Sequence, residues 1–137
     1  MGDLVKFLNL KVAYYAEQAG EAYVIGDVDQ IGIKLETYLP NKKAAIVFSS
    51  AISRECLVRR ENAKNWLCLK SGIKLFRIMA PGANDYDNCI CITLSDNRVD
   101  TIGFAVQTVF DMLDLDIDVD IRRDAIEIKK FCQQTQT

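Results

Sequence analysis

The chain has 137 residues, 50% of them apolar and 26% charged, which suits a single folded domain with enough apolar material for a core. Its net charge of −2 offers no broad cationic field, so tight non-specific binding to duplex DNA is not expected. Histidine is absent, which excludes Ser-His-Asp and Cys-His catalysis, HExxH zinc sites and histidine acid–base chemistry. Any reaction must use carboxylates, lysine, cysteine, tyrosine or a metal held by oxygen.

In chain order, Leu4, Phe7, Leu8 and Tyr15 recur at helical spacing and predict a helix over Leu4–Gln18, ended before Gly20. Asp3 and the lack of a basic start or a continuous apolar stretch argue against a secretory signal. No apolar run approaches the roughly 20 residues that span a bilayer. A cytoplasmic protein without membrane attachment is expected. Ala22–Ile25 is a short apolar run closed by Gly26, Asp27, Val28 and Asp29, which reads as a strand ending in an acidic turn. Ile31, Leu35 and Leu39 mark one face of a short helix stopped at Pro40. Lys43–Lys70 has two readings: one long helix, or a buried strand over Ala44–Phe48 followed by a shorter helix. The single helix is preferred because Lys42–Lys70 contains no Gly or Pro.

Gly72 ends that element, and Ile73–Met79 reads as a strand. Pro81–Asn88 reads as a polar turn and Cys89–Leu94 as a second strand, so the pair predicts a hairpin with a long connection. Cys89 and Cys91 would share one strand face and suggest a soft-metal site. With Cys56, Cys68 and Cys132 they form an odd set without C-x-x-C spacing, and buried free thiols are the preferred reading. Val99, Ile102, Val106, Val109, Phe110 and Leu113 form a clean helical stripe. Leu115–Ile121 alternates with Asp116, Asp118 and Asp120, as a half-buried strand with a charged outer face would. Asp124–Phe131 is a final helix or strand. The organisation expected is a helical extension over 1–20, an α/β domain over 21–132 and a polar tail over 133–137.

From Ala22 the order is β-α-α-β-β-α-β, the ferredoxin-like pattern of an α+β domain with an antiparallel sheet in the order 4-1-3-2. In that topology Asp27 and Asp29 face Asn84, Asp85 and Asp87 along one edge. Two such acidic turns form an oxygen-ligand site for Mg²⁺ or Mn²⁺, able to hold phosphates and activate a hydroxyl without histidine. Gly26 and Gly82 would let backbone approach those phosphates. The structural reading stands beside it: Asp29 caps the following helix and Asn84–Asp85 shapes a turn. Lys42, Lys43, Arg59 and Arg60 read as a solvated helix face, or as contacts to phosphates or a partner.

The segment Tyr23–Leu39, YVIGDVDQIGIKLETYL, resembles the first motif of the minimal CRISPR polymerases. These are stand-alone palm-domain cyclases related to GGDEF domains and to the polymerase subunit of type III CRISPR complexes. Gly26, Asp27, Asp29, Ile31, Gly32, Glu36 and the Tyr38–Leu39 pair match. Pro81–Gly82–Ala83–Asn84–Asp85 falls where the family carries a GGDD-type turn. The resemblance implies a ferredoxin-like palm that joins nucleoside triphosphates, ATP foremost, into cyclic nucleotides for antiphage signalling. It implies that Asp27 and Asp85 are the catalytic metal ligands with Asp29 beside them, that Gly26, Gly82 and Asn84 border the nucleotide, and that a homodimer is a permitted assembly. In this chain Gly-Ala-Asn-Asp replaces GGDD, and no counterpart of the family's later lysine-containing stretch follows Thr93. The resemblance therefore admits an inactive relative.

Two further readings follow from the residues. With Ala44–Phe48 as a strand, the chain is similar to a small PIN- or NYN-type nuclease with a parallel sheet, in which Asp27 and Asp96 are neighbours and Asp85 or Asp87 adds a carboxylate. Alternatively the acids are turn formers, and the chain is a non-enzymatic interaction module.

Overall fold

The computed structural model describes residues 11–28, 33–49, 55–83, 86–96 and 98–135. Helix α1 (11–18) is the described part of the expected first helix, and its Val12, Tyr15 and Ala16 lie in the main core. Strands β1 (Val24–Val28) and β2 (Ile33–Leu39) follow, paired antiparallel with Asp27 opposite Lys34 and Val28 opposite Ile33. Two expectations fail here. Gly26 and Asp27 belong to the strand rather than to a turn, and residues 33–39 are extended, so no helix carries Leu35 and Leu39 on one face. Ile33, Leu35, Thr37 and Leu39 alternate with Lys34, Glu36 and Tyr38, and this period of two prevails over the four-residue spacing.

The preferred single helix over Lys43–Lys70 is likewise replaced, by β3 (Ala44–Ser49) and α2 (Glu55–Lys70). Ala44–Phe48 has no polar face, so it suits a strand covered on both sides better than an amphipathic helix. Lys43, in the left-handed region at φ 48°, completes the turn from β2 into β3. β3 pairs antiparallel with β2, Tyr38 opposite Ala45, and parallel with β4 (Lys74–Met79). The β3–α2–β4 unit is thus a parallel crossover.

β5 (Ile90–Thr93) also runs parallel to β4, from Phe76 opposite Ile90 to Met79 opposite Thr93, so the expected hairpin is absent. The described residues of the connection, 80–83 and 86–89, form no helix. The five strands lie in the order β1-β2-β3-β4-β5. The domain is α+β with a mixed sheet, but the antiparallel 4-1-3-2 order and the β-α-α-β-β-α-β sequence do not describe it.

Helix α3 (Val99–Met112) buries Ile102, Val106, Val109 and Phe110, with Leu113 just beyond it, as its stripe predicts. Helix α4 (Ile121–Thr135) resolves the last segment as helical and carries residues 133–135, which were expected in the tail. The main core joins α1, α3 and α4 to one sheet face through Leu39, Ile46, Phe76 and Ile78. On the other face α2 contributes Cys68 to a smaller cluster with Tyr38, Ala45, Val47 and Leu75.

The expected strand over Leu115–Ile121 is not formed. Its alternation is real: Ile117 is buried, Leu115 and Val119 pack against the core, and Asp114, Asp116, Asp118 and Asp120 are exposed. What replaces a neighbouring strand is one side chain. The Gln107 amide donates to Ile117 O at 2.7 Å and accepts from Val119 N at 2.8 Å, as a strand's backbone would. The acids therefore guard no sheet edge. Gln107→Leu should lower stability by about 1 kcal/mol in urea unfolding, because both groups are partly exposed and water can replace the amide.

Tyr15 joins α1 to α4. Its hydroxyl donates to Asp124 Oδ2 at 2.5 Å and accepts from Asp120 N and Arg123 Nη2, both at 2.9 Å. Burial and the Asp124 hydrogen bond push its pKa up from 10.0 to about 12. A raised folded-state value means that the contribution of neutral Tyr15 is whole below pH 10 and is lost as pH rises through 12. Tyr15→Phe should flatten the fall in stability across that window, measured by urea unfolding at stepped pH.

Candidate functional site

β1 is antiparallel to β2 and β2 to β3, so β1 runs in the same direction as β3, β4 and β5. The carboxyl ends of these four strands share one sheet edge, where open α/β sheets commonly bind ligands. Asp27 is one residue from that end of β1. After β4 the chain turns through 80–83, closed by Ala83 N donating to Ala80 O at 3.0 Å. Gly82 sits there at φ 78° with open space where a side chain would begin. Asp29, Asn84 and Asp85 lie outside the described residues.

Strand order limits what this edge can assemble. β2 and β3 separate β1 from β4, and at about 4.8 Å per strand spacing Asp27 stands roughly 14 Å from the end of β4. The expectation that the first acidic segment faces the turn after β4 across one short gap does not hold. Asp27 and Asp96 are farther apart still, since β1 and β5 are the two outer strands and are separated by about 19 Å. The neighbouring Asp27–Asp96 pair expected of a nuclease is overturned. Among the described residues no group of three Cys, Asp or Glu side chains is placed to hold a metal ion.

Several acids have structural work instead. Asp96 Oδ1 accepts from Arg98 N at 2.9 Å at the start of α3, and hydrogen bonds from Thr101 and that amide hold its carboxyl below the usual range. Asp120 Oδ1 accepts from Arg123 N at 3.0 Å at the start of α4. Asp87 is exposed, and its carbonyl accepts from Asn65 Nδ2 at 3.2 Å. Asp116 and Asp118 line an open cleft of about 280 Å³ with Tyr14 and Arg123. Glu36, expected on a helix, lies on β2, where its Oε2 accepts from Phe48 N at 2.7 Å.

The most developed polar cluster is one the sequence reading passed over. Arg77, in the middle of apolar β4, is 3% exposed. Its Nε donates to Asn65 Oδ1 at 2.7 Å, Nη1 to Ser49 Oγ at 2.8 Å and Nη2 to Glu61 Oε2 at 2.8 Å. The Tyr86 ring lies 4.8 Å from the guanidinium carbon. All three guanidinium nitrogens are engaged, so an incoming phosphate would have to displace Glu61. The signal for this cluster was present: a lone charge amid Lys74-Leu-Phe-Arg-Ile-Met79 requires a buried partner.

Cys91 lies opposite Arg77 on β5, and its Sγ is 3.6 Å from that of Cys89. Both thiols point at Tyr86 O, 3.8 Å from Cys89 and 3.7 Å from Cys91. Burial, reinforced by Cys91, pushes the Cys89 thiol up to about 12, so it is protonated near neutrality. The two thiols come together on one side, but Cys89 precedes β5 rather than sharing the strand, and both side chains are only partly buried.

The chain matches no protein-family model, no curated protein and no solved structure. No helix among the described residues is long and apolar enough to cross a membrane.

Arg77→Met should cost about 3–5 kcal/mol, since it strands Glu61 and Asn65 without their partner. Adding Glu61→Leu should restore part of that loss. Urea titrations of the single and double variants measure the coupling.

Proposed function

We propose that this chain is a metal-dependent nucleotidyltransferase that joins nucleoside triphosphates, ATP foremost, into cyclic nucleotides, or an inactive relative that retains nucleotide binding. The reading rests on Asp27, at the carboxyl end of a strand that runs parallel with β3, β4 and β5, within the Gly26–Asp27–Val28–Asp29 segment. Asp27 and Asp29 are the residues that would hold Mg²⁺ or Mn²⁺. When bound, the ion would neutralise triphosphate charge and favour attack of a ribose hydroxyl on the α-phosphate. Gly82, open and left-handed on the same edge, leaves backbone free to approach a phosphate. Two strands separate Asp27 from the end of β4, so the Asp27–Asp29 pair carries the proposal.

A second reading is favoured by one observation. The parallel β3–α2–β4 crossover and the parallel β5 are closer to an open nuclease-type sheet than to a palm. In that case Asp27 and Asp29, without Asp96, would serve Mg²⁺- or Mn²⁺-dependent RNA hydrolysis.

Incubation with mixed nucleoside triphosphates and Mn²⁺, followed by mass spectrometry, separates these readings. Cyclic or linear oligonucleotides that disappear in Asp27→Asn are the expected result for an active enzyme. For an inactive relative, calorimetry should show Mn²⁺-dependent ATP binding that weakens at least tenfold in Asp27→Asn, without product. Neither product nor binding by the folded protein would remove the reading. Cleavage of a labelled RNA under the same conditions would select the nuclease.

A further inference from the structure

The end of the sheet opposite Asp27 carries the other sign of charge. No acidic residue occurs between Glu61 and Asp85, while Lys70 and Lys74 fall inside that stretch. The backbone amide of Lys74 donates to Lys43 O at 2.8 Å, which brings the Lys42–Lys43 turn beside the start of β4. Lys43, Lys70 and Lys74 are exposed and Lys42 is partly so. None of the four forms an ion pair among the described residues.

Beside these lysines lies a cleft of about 350 Å³ between the end of α2 and the amino ends of β4 and β5. Its lining is largely apolar, with Leu69, Ile73, Leu75 and Ile90 beside Lys74 and Asn88. This volume falls in the range of pockets that take a small ligand or an anchoring side chain. Trp66, Leu69 and Lys70 follow the i, i+3, i+4 spacing and share the outer face of α2. Trp66 is 51% exposed and Leu69 53%, large values for such side chains. The Lys70 ammonium sits 5.5 Å from the centre of the Trp66 ring, so the aromatic and the basic rim are continuous. An apolar cleft with lysines along one side and an exposed tryptophan nearby has the anatomy of a docking surface, with tryptophan as a typical anchor.

We propose that this surface docks an acidic peptide segment of a protein partner, one aliphatic side chain entering the cleft and flanking carboxylates meeting Lys43, Lys70 and Lys74. The occupant follows from charge and shape. A concave aliphatic floor suits a leucine-like side chain, whereas a nucleic acid strand needs a row of stacking rings and the surface has one. Exposed Asp87, next to Asn88 at the far rim, would repel a continuous phosphate backbone but tolerates a peptide whose acids lie on the lysine side. A bilayer needs no cleft, whereas here Leu69, Ile73, Leu75 and Ile90 line one that a single side chain can enter.

Trp66 is the chain's single tryptophan, so its emission reports on this surface alone. The full chain, immobilised, would be used to select binders from a random displayed peptide library. Enriched peptides should combine Asp or Glu with one large aliphatic residue, and synthetic copies should shift Trp66 emission to the blue on binding. Lys70→Glu/Lys74→Glu should weaken them at least tenfold, and Leu69→Glu as much. Both variants alter exposed side chains, and an unchanged circular dichroism spectrum shows that they still fold. Absence of acidic binders, or binders indifferent to both variants, would overturn the proposal. So would a Trp66 shift produced by U-rich RNA or phosphatidylserine vesicles but by no peptide.

Discussion

Burying a guanidinium in the middle of a sheet is costly unless its charge and its directional donors are met at once, and Arg77 meets that condition from three directions. Glu61 and Asn65 come from α2, Ser49 from the end of β3, and the Tyr86 ring from the segment that leads into β5. Each partner belongs to an element whose place the sequence leaves open in some respect. α2 could lie at several angles on β3 and β4, and the chain after Met79 could return as a hairpin. The fork geometry of arginine removes that freedom, because its donors point along fixed directions in one plane. The partners on the other sheet face are apolar and non-directional; they supply bulk stabilisation but little choice between registers.

Legibility in the sequence tracked how many forces acted on a segment. α3 was readable because a single period, repeated over four turns, decides its burial, and β4 because a compact apolar run between turn residues has few alternatives. β2 was misread because Ile31, Leu35 and Leu39 fit a helix while residues 33–39 also alternate, and pairing with β1 and β3 selects the second pattern. β3 was hidden by the absence of Gly or Pro between it and α2; an uninterrupted composition does not imply an uninterrupted helix. The Leu115–Ile121 segment shows the converse. Its alternation gave the right buried residues and the wrong element, since a pattern of two reports an extended chain with one covered face and says nothing about what does the covering.

The candidate site was legible only in part. Asp27 was expected in a turn after the first strand and lies instead within that strand, one residue from its end. Its neighbours were not legible, because which strands lie between two loops depends on pairings of distant residues. Arg77 and its ring of partners were missed for the same reason: Glu61, Asn65 and Tyr86 carry no local signal of convergence. The molecule is also polarised. Lys42, Lys43, Lys70 and Lys74 gather near the amino ends of β3 and β4, and Asp114, Asp116, Asp118 and Asp120 form an exposed acidic run, so a net charge of −2 conceals local patches of opposite sign.

The return of the chain from β4 to β5 also has a consequence for the order of assembly. Parallel neighbours are usually joined through a helix that folds on its own and then packs down. The described residues of this connection, 80–83 and 86–89, contain no such unit, and Tyr86 on Arg77 and the Asp87 carbonyl on Asn65 tie its second half to the domain. The second of these contacts requires α2 in place on β4. β5 is therefore a late strand, added to a sheet that already holds its other members, and the opening motion of lowest cost should begin there. Cys91 on that strand and Cys89 just before it, both partly buried, would gain exposure to solvent when it lifts.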